Sequence, residues 1–310
     1  MGVLTKELRC IEHNSCFCYT LHEKDVRIIK IRVEMGKIQI KKIIANILDM
    51  AQINTMFLER LNKRYQNDYI RVLNYHEINE KDFDNFEQQL KWYLEHFEIV
   101  DENKLCAYMC GKKKFVKKPG ILLTFDDGYK GNYAATKEVM NKYGINGFFF
   151  VSSELIEKKG YLSWEQLRLM ICDGNTVGCH TATHHRMDKM DTDEILIREI
   201  IYSKQKIEKQ LGIKVLHFCW CGGEEEHYTK KAADMIRKAG YEYGFMTNSH
   251  PFTREDDKFQ IERTNIEAEW KMPLVRFQIS GIMDKRFEKK RKRVERITMQ
   301  KIKYEKGDGR

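Results

Sequence analysis

Proline is nearly missing from this sequence, with three residues in 310. No Gly/Ser-rich stretch divides the chain, so nothing in it marks a flexible linker. There is no internal repeat, which excludes solenoids and propellers. No uninterrupted apolar run reaches the ~18 residues that a membrane-spanning helix requires. The opening stretch MGVLTKELRCIEHNSCFC lacks the apolar centre of a secretory signal. Gly2 opens what would be a myristoylation signal, but Lys6 stands where Ser or Thr is needed. These absences set the expectation of a soluble, cytoplasmic protein and leave peripheral membrane association open. The nine cysteines are an odd number with no regular spacing, and are expected as reduced thiols. Cys10, Cys16 and Cys18 with His13 resemble half of a zinc knuckle, but no second pair follows at finger spacing.

What is present is a chain with 42% apolar residues, enough for a substantial core, and a net charge of +9. Part of that excess sits in KRFEKKRKRVER, residues 285–296. Residues 284–310 are read as a basic C-terminal tail, a solvated helix or disordered segment that an anionic surface would attract. No aromatic ladder or nucleic-acid motif accompanies it, so no nucleic-acid partner is expected. Residues 1–66 are read as an N-terminal extension, with VRIIKIRV and KIQIKKII as a strand pair and residues 40–66 as amphipathic helix.

From residue 70 onward, short apolar runs alternate with helix-length amphipathic segments. The runs are IRVLNY, GILLTF, NGFFFV, NTVGC, KVLHFCW, YGFMT and KFQIER. The longest helical segment, DEILIREIIYSKQKIEKQLG, spaces Leu196, Ile200, Ile207 and Leu211 along one face. Alternating strand and helix predicts an α/β fold with a parallel sheet, open or closed into a barrel. Several runs end in a polar or ionisable residue: His76, Asp126 and Asp127, Ser152 and Ser153, His180, Asn248. That pattern suits a barrel, which carries its chemistry at the C-terminal ends of its strands.

Two of those ends stand out. TFDDG sets two carboxylates side by side, where repulsion calls for a nearby cation. An Asp-Gly turn or a helix N-cap would explain the same residues without chemistry. GCHTATHH places His180 and His184 four residues apart, and a helical turn would put both rings on one face, within reach of one ion. Zinc accepts imidazole nitrogen and carboxylate oxygen, and a catalytic site leaves a position open. His185 reads as a bystander.

LLTFDDGY followed by GCHTATH resembles the first two motifs of the polysaccharide deacetylases, carbohydrate esterases with a NodB homology domain. The similarity runs over roughly residues 70–281, and the domain is placed at 67–283. It implies a distorted (β/α) barrel of about seven strands and a divalent ion, usually Zn2+, held by Asp127, His180 and His184. It also implies Asp126 as general base and an N-acetylated glycan as the partner whose acetamide is hydrolysed. LNYHEI is similar to the segment preceding TFDDG in the permuted exopolysaccharide subgroup acting on poly-N-acetylglucosamine. There the matching histidine, here His76, serves as general acid. Tyr129, Trp164 and Trp220 are candidate sugar-stacking residues, each equally compatible with ordinary core packing. His250 is the next candidate for the acid.

Two departures accompany the resemblance. The third motif usually carries an Arg and a Pro-containing turn, but here reads FCWCGG, residues 218–223, with no arginine in the segment to orient Asp126. The late Leu-His motif of unpermuted members is absent, as expected if His76 takes that role. Two other functions stay open: hydrolysis of a different non-peptide C–N bond, and a catalytically degenerate carbohydrate-binding protein.

Overall fold

Residues 38–299 are described by the computed structural model. The Cys10, Cys16, Cys18 and His13 group and the VRIIKIRV run lie outside the described residues.

Each of the seven expected runs overlaps a parallel strand: β1 (Ile70–Tyr75), β3 (Gly120–Phe125), β4 (Phe148–Val151), β5 (Thr176–Cys179), β6 (His217–Cys219), β7 (Tyr243–Met246) and β8 (Ile261–Asn265), the last running two residues beyond KFQIER. The two-residue β2 (Glu98–Ile99) adds to one edge of β3. The others pair in chain order, and β1 pairs with both β8 and β3, so the seven strands close into a barrel. Period-2 alternation sorts their side chains. Ile70, Val72, Leu122, Phe148, Phe150, Phe245 and Ile261 fill the interior. Leu73, Ile121, Leu123, Phe149, Val151 and Phe218 face the surrounding helices. In β5, a Cβ on Gly178 would stand 2.5 Å from the Phe150 ring, so glycine is what admits that phenylalanine to the interior.

The helical layer contains α3 (Phe83–His96), α4 (Glu102–Met109), α5 (Gly131–Glu138), α6 (Trp164–Cys172), α9 (Lys230–Lys238) and α10 (Met272–Ile279). α6 starts with a capping box, Ser163 and Gln166 each satisfying the other's backbone N–H. The long helix predicted after residue 193 is α7 (Asp193–Leu196) and α8 (Ser203–Leu211), joined by a π-helical segment, Ile197–Tyr202.

Two expectations about the ends are corrected. The segment KIQIKKII is not a strand where it is described, because residues 38–50 form helix α1. Ile40, Ile43, Ile44 and Ile47 recur at helical spacing, and that period outweighs the local alternation. Gln52, at φ 60°, breaks α1 from α2 (Ile53–Tyr65). The basic tail is not a detached segment either. α11 (Asp284–Thr298) buries Val294, Asp284 and Thr298 against the barrel, leaving most of its Lys and Arg on its other faces. Among the described residues, no helix is long and apolar enough to cross a membrane.

Candidate active site at the C-terminal end of the barrel

Alternation along β3 aims Gly120, Leu122 and Thr124 inward, and Asp126 is the next position in that series. It meets Arg263 from β8. Arg263 Nη1 donates to Asp126 Oδ1 at 2.7 Å and Nη2 to Oδ2 at 2.8 Å. Nη1 also donates to Thr124 Oγ1 and Asn74 Oδ1. Arg263 is 1% exposed, so this two-pronged pair forms a floor beneath the site. Burial alone would raise the Asp126 pKa, but the guanidinium holds the carboxyl below its ordinary range. The third motif, FCWCGG, holds no arginine for Asp126. The partner is supplied by QIER, 137 residues away, as a lone charge at an inward strand position.

Asp127 would point outward if β3 continued. Instead its backbone turns to φ 70°, followed by Gly128 at φ 76°, and both carboxylates reach the same end of the barrel. A Cβ on Gly128 would lie 3.1 Å from Val151. Asp127 Oδ1 lies 3.4 Å from His180 Nε2 and 3.1 Å from His184 Nε2. Neither nitrogen is aligned as a donor, so Oδ1 is buried with no hydrogen-bond partner. His180 Nδ1 is 3.0 Å from the Cys219 carbonyl. A proton on Nδ1 satisfies that oxygen and leaves the Nε2 lone pair facing Asp127.

The two histidines converge without a helix. Thr181 and His184 have φ values of 62° and 63°, so the four-residue spacing is bridged by an irregular turn. Glu199, in the π-helical segment, fixes that turn: it accepts from the backbone N–H groups of Ala182 and Thr183 and from Thr183 Oγ1. His185 is bonded to Asp191 at 2.9 Å and pins the far side of the loop. His76 follows β1, with Nδ1 3.4 Å from Glu267 Oε1. Burial lowers its pKa, but Glu267 and the charges of Asp126 and Asp127 outweigh this and raise it. His250 has no place here: it lines a separate cavity of about 520 Å³ between α2 and α11, and burial pushes its pKa down to about 4.

The aromatic candidates divide. Tyr129 is half-buried, stacks on Tyr161 at 5.4 Å, and has its pKa pushed up to about 12 by burial and by Asp127 beside it. Trp164 is 9% exposed and Trp220 3%, and both belong to the main core. Trp220 packs against Phe218 and Tyr228, so neither indole offers a face to a sugar.

The residues fit a cation. Asp127 Oδ1 is an orphaned buried carboxylate oxygen, and two imidazole nitrogens converge on it. Burial opposes a charge on His180, yet the carboxylates of Asp126 and Asp127 beside it act in the other direction and its pKa is raised. The cluster thus favours positive charge at its centre.

Residues 113–244 match the family model described as polysaccharide deacetylase. Over 181 residues the chain is 26% identical to YxkH of Bacillus subtilis (strain 168), a provisionally named polysaccharide deacetylase; the match covers 58% of this chain and 63% of YxkH. The Streptococcus pyogenes deacetylase PplD, solved with acetate, superposes with a TM-score of 0.59 at 19% identity, over 68% of this chain and 98% of PplD. IcaB from Ammonifex degensii gives a TM-score of 0.59 at 22% identity, over 70% of this chain and 97% of its own. At such identities the two structures establish the shared fold. With the matched segment, the closed barrel and the residues at its C-terminal end, the chain is similar to the polysaccharide deacetylases, the family model matching residues 113–244.

Proposed function

We propose that this protein hydrolyses the acetamide of N-acetylated sugar units, releasing acetate and a free amine, with the help of a divalent ion held by Asp127, His180 and His184. The observation that carries this reading is the division of labour between adjacent aspartates. Asp126 is paired with Arg263 through both oxygens, each keeping a further lone pair, and Asp127 is left open toward two histidines. The histidine and carboxylate donors suit zinc. When bound there, such an ion supplies Lewis acidity, polarising an acetamide oxygen and acidifying water.

The chain's own groups do the rest. Arg263 keeps Asp126 ionised, so it can accept the proton of the attacking water. The amine cannot leave as an anion, so a proton must reach its nitrogen. His76, whose pKa Glu267 helps to raise, is the proton donor in this reading. Glu267 also fixes the ring, since Nδ1 faces its carboxylate. Tyr129, stacked on Tyr161, is the aromatic surface available to a sugar ring. The place of His76 before TFDDG supports a substrate of the poly-N-acetylglucosamine type.

The test is acetate release from a panel of N-acetylglucosamine oligomers of different linkage. Asp126→Asn should keep bound metal and lose most turnover, whereas Asp127→Asn should lose the metal itself. Equal metal loss in both variants would show that the two roles are not distinct. No acetate from any oligomer, with metal bound, would exclude this substrate class.

A further inference from the structure

We infer that Gln89 is a positioning residue for His76, an inference that rests on the general-acid reading given above. Gln89 lies on α3, on the face where Phe86, Leu90 and Tyr93 pack into the main core. An amide is out of keeping with that apolar row, yet Gln89 is fully buried within it. Burying an amide is unfavourable unless its donors and its acceptor are engaged.

Here they are engaged by the two segments that hold the acid. Gln89 Oε1 accepts from the Tyr75 hydroxyl at 2.7 Å, and Tyr75 immediately precedes His76. That hydroxyl has one proton and gives it to Gln89, so the Tyr93 hydroxyl, 2.6 Å away, donates to Tyr75 in turn. Gln89 Nε2 donates toward the carbonyls of Glu267, Ala268 and Trp270 at 3.1, 3.2 and 3.0 Å. Three carbonyls around one atom fix which end of the amide is nitrogen, since an oxygen there would be repelled by all of them. They belong to the irregular turn between β8 and α10, where no helix or strand ladder is at hand to engage them.

One side chain therefore fastens both halves of the His76 and Glu267 pair. Asn265 completes the arrangement, its Nδ2 donating to Glu267 Oε1 at 2.9 Å. The contact from Glu267 Oε1 to His76 Nδ1 is long, 3.4 Å, so it depends on where the turn is held. With Gln89 removed, the turn loses the donor for three carbonyls, and Tyr75 loses its acceptor. Glu267 then no longer fixes the imidazole. Gln89 itself lies in the helical layer and acts only through Tyr75 and Glu267.

The experiment compares an N-acetylglucosamine oligomer with an activated acetate ester as substrates of the full, zinc-supplied chain. Gln89→Leu keeps an apolar side chain of similar size and releases Tyr75 and the three carbonyls. It should lower kcat on the amide by ~10-fold or more, because small misplacements of a catalytic group are that damaging, and leave KM near the parent's. On the ester, whose leaving group needs no proton, kcat should stay close to the parent's. In a His76→Ala background, Gln89→Leu should cause no further loss on the amide. A residue that only supports the fold would slow both substrates together and add its loss to that of His76→Ala. Either result overturns the inference, as does an unchanged amide rate, and the acid reading stands. If the parent releases no acetate, or His76→Ala alone slows amide and ester equally, the acid reading fails and the inference falls with it. Circular dichroism first establishes that the variant folds; should it not, Gln89→Met, which matches glutamine in length and branching, carries the same test.

Discussion

His76 shows how one carboxylate sets the working range of a residue. The ring is disfavoured as a cation by burial, and Glu267 restores the charge. A general acid must be protonated, so a raised pKa carries activity to higher pH, and the alkaline limb of kcat/KM should fall above the ordinary ~6.5 of histidine. Glu267→Gln removes the stabilising charge but not the burial, so the limb should move toward acid. His76→Ala should abolish the limb and slow amide hydrolysis by ~10²-fold or more. An activated ester, whose leaving group needs no proton, should be affected far less. An unmoved limb in Glu267→Gln, or equal losses on amide and ester, would remove His76 from the acid role. His76, Asp126 and His180 were legible because each directly follows a run of strand residues, and Asp127 and His184 because they share the TFDDG and GCHTATH motifs with them. Arg263 and Glu267 were not: a charge inside an apolar run or beyond its end gives no sign of which distant carboxylate or imidazole it meets.

The π-helical segment between α7 and α8 is the element that shapes the histidine turn. Periodicity places Leu196, Ile200, Ile207 and Leu211 on one face; the first three are buried and Leu211 is partly buried against the core. It gives no reason for Glu199, beside Ile200, to be buried as well. The wider π turn admits it, as such insertions often do at functional sites. The strands were legible to within a few residues because alternating apolar side chains are required on both barrel faces. The left-handed residues Asp127, Thr181 and His184 were not, since non-glycine residues seldom adopt that conformation without a surrounding structure that imposes it. Glu199→Ala removes the acceptor of two backbone N–H groups and one hydroxyl, which should loosen His184. Metal affinity should fall by about 10–100-fold, the usual effect of losing a support behind a ligand. Glu199→Gln, which keeps one carbonyl oxygen, should fall between. Competition against a chromophoric chelator measures this, and parental affinity in Glu199→Ala would show that the turn holds itself.

On the scale of the whole molecule, α11 is a fastening of the barrel, which its charge conceals. Arg71 leaves β1 on its outer face and is fully buried. Its Nη1 and Nη2 donate to the two carboxylate oxygens of Asp284 at 3.0 and 2.9 Å, at the first residue of α11. Ser249, beyond β7, donates to the same carboxylate, and Arg291 donates to the carbonyls of Asn248, Ser249 and Asp284. One helix thus ties together the strand that opens the barrel, the loop after β7 and, through Lys290, the loop after β6. Two charges taken out of water gain little as a pair, but either one left alone is costly. Asp284→Leu should therefore destabilise the fold by about 3–5 kcal/mol, because it strands the Arg71 guanidinium. Arg71→Met should cost less, since Asp284 keeps Ser249 and lies nearer to solvent. The double variant should be more stable than Asp284→Leu alone, the second substitution removing the charge that the first exposes. Urea unfolding of the three variants, followed by far-ultraviolet circular dichroism, gives the comparison. Additive losses in the double variant would mean that the pair is not coupled, and that α11 is held by Val294 and Arg291 instead.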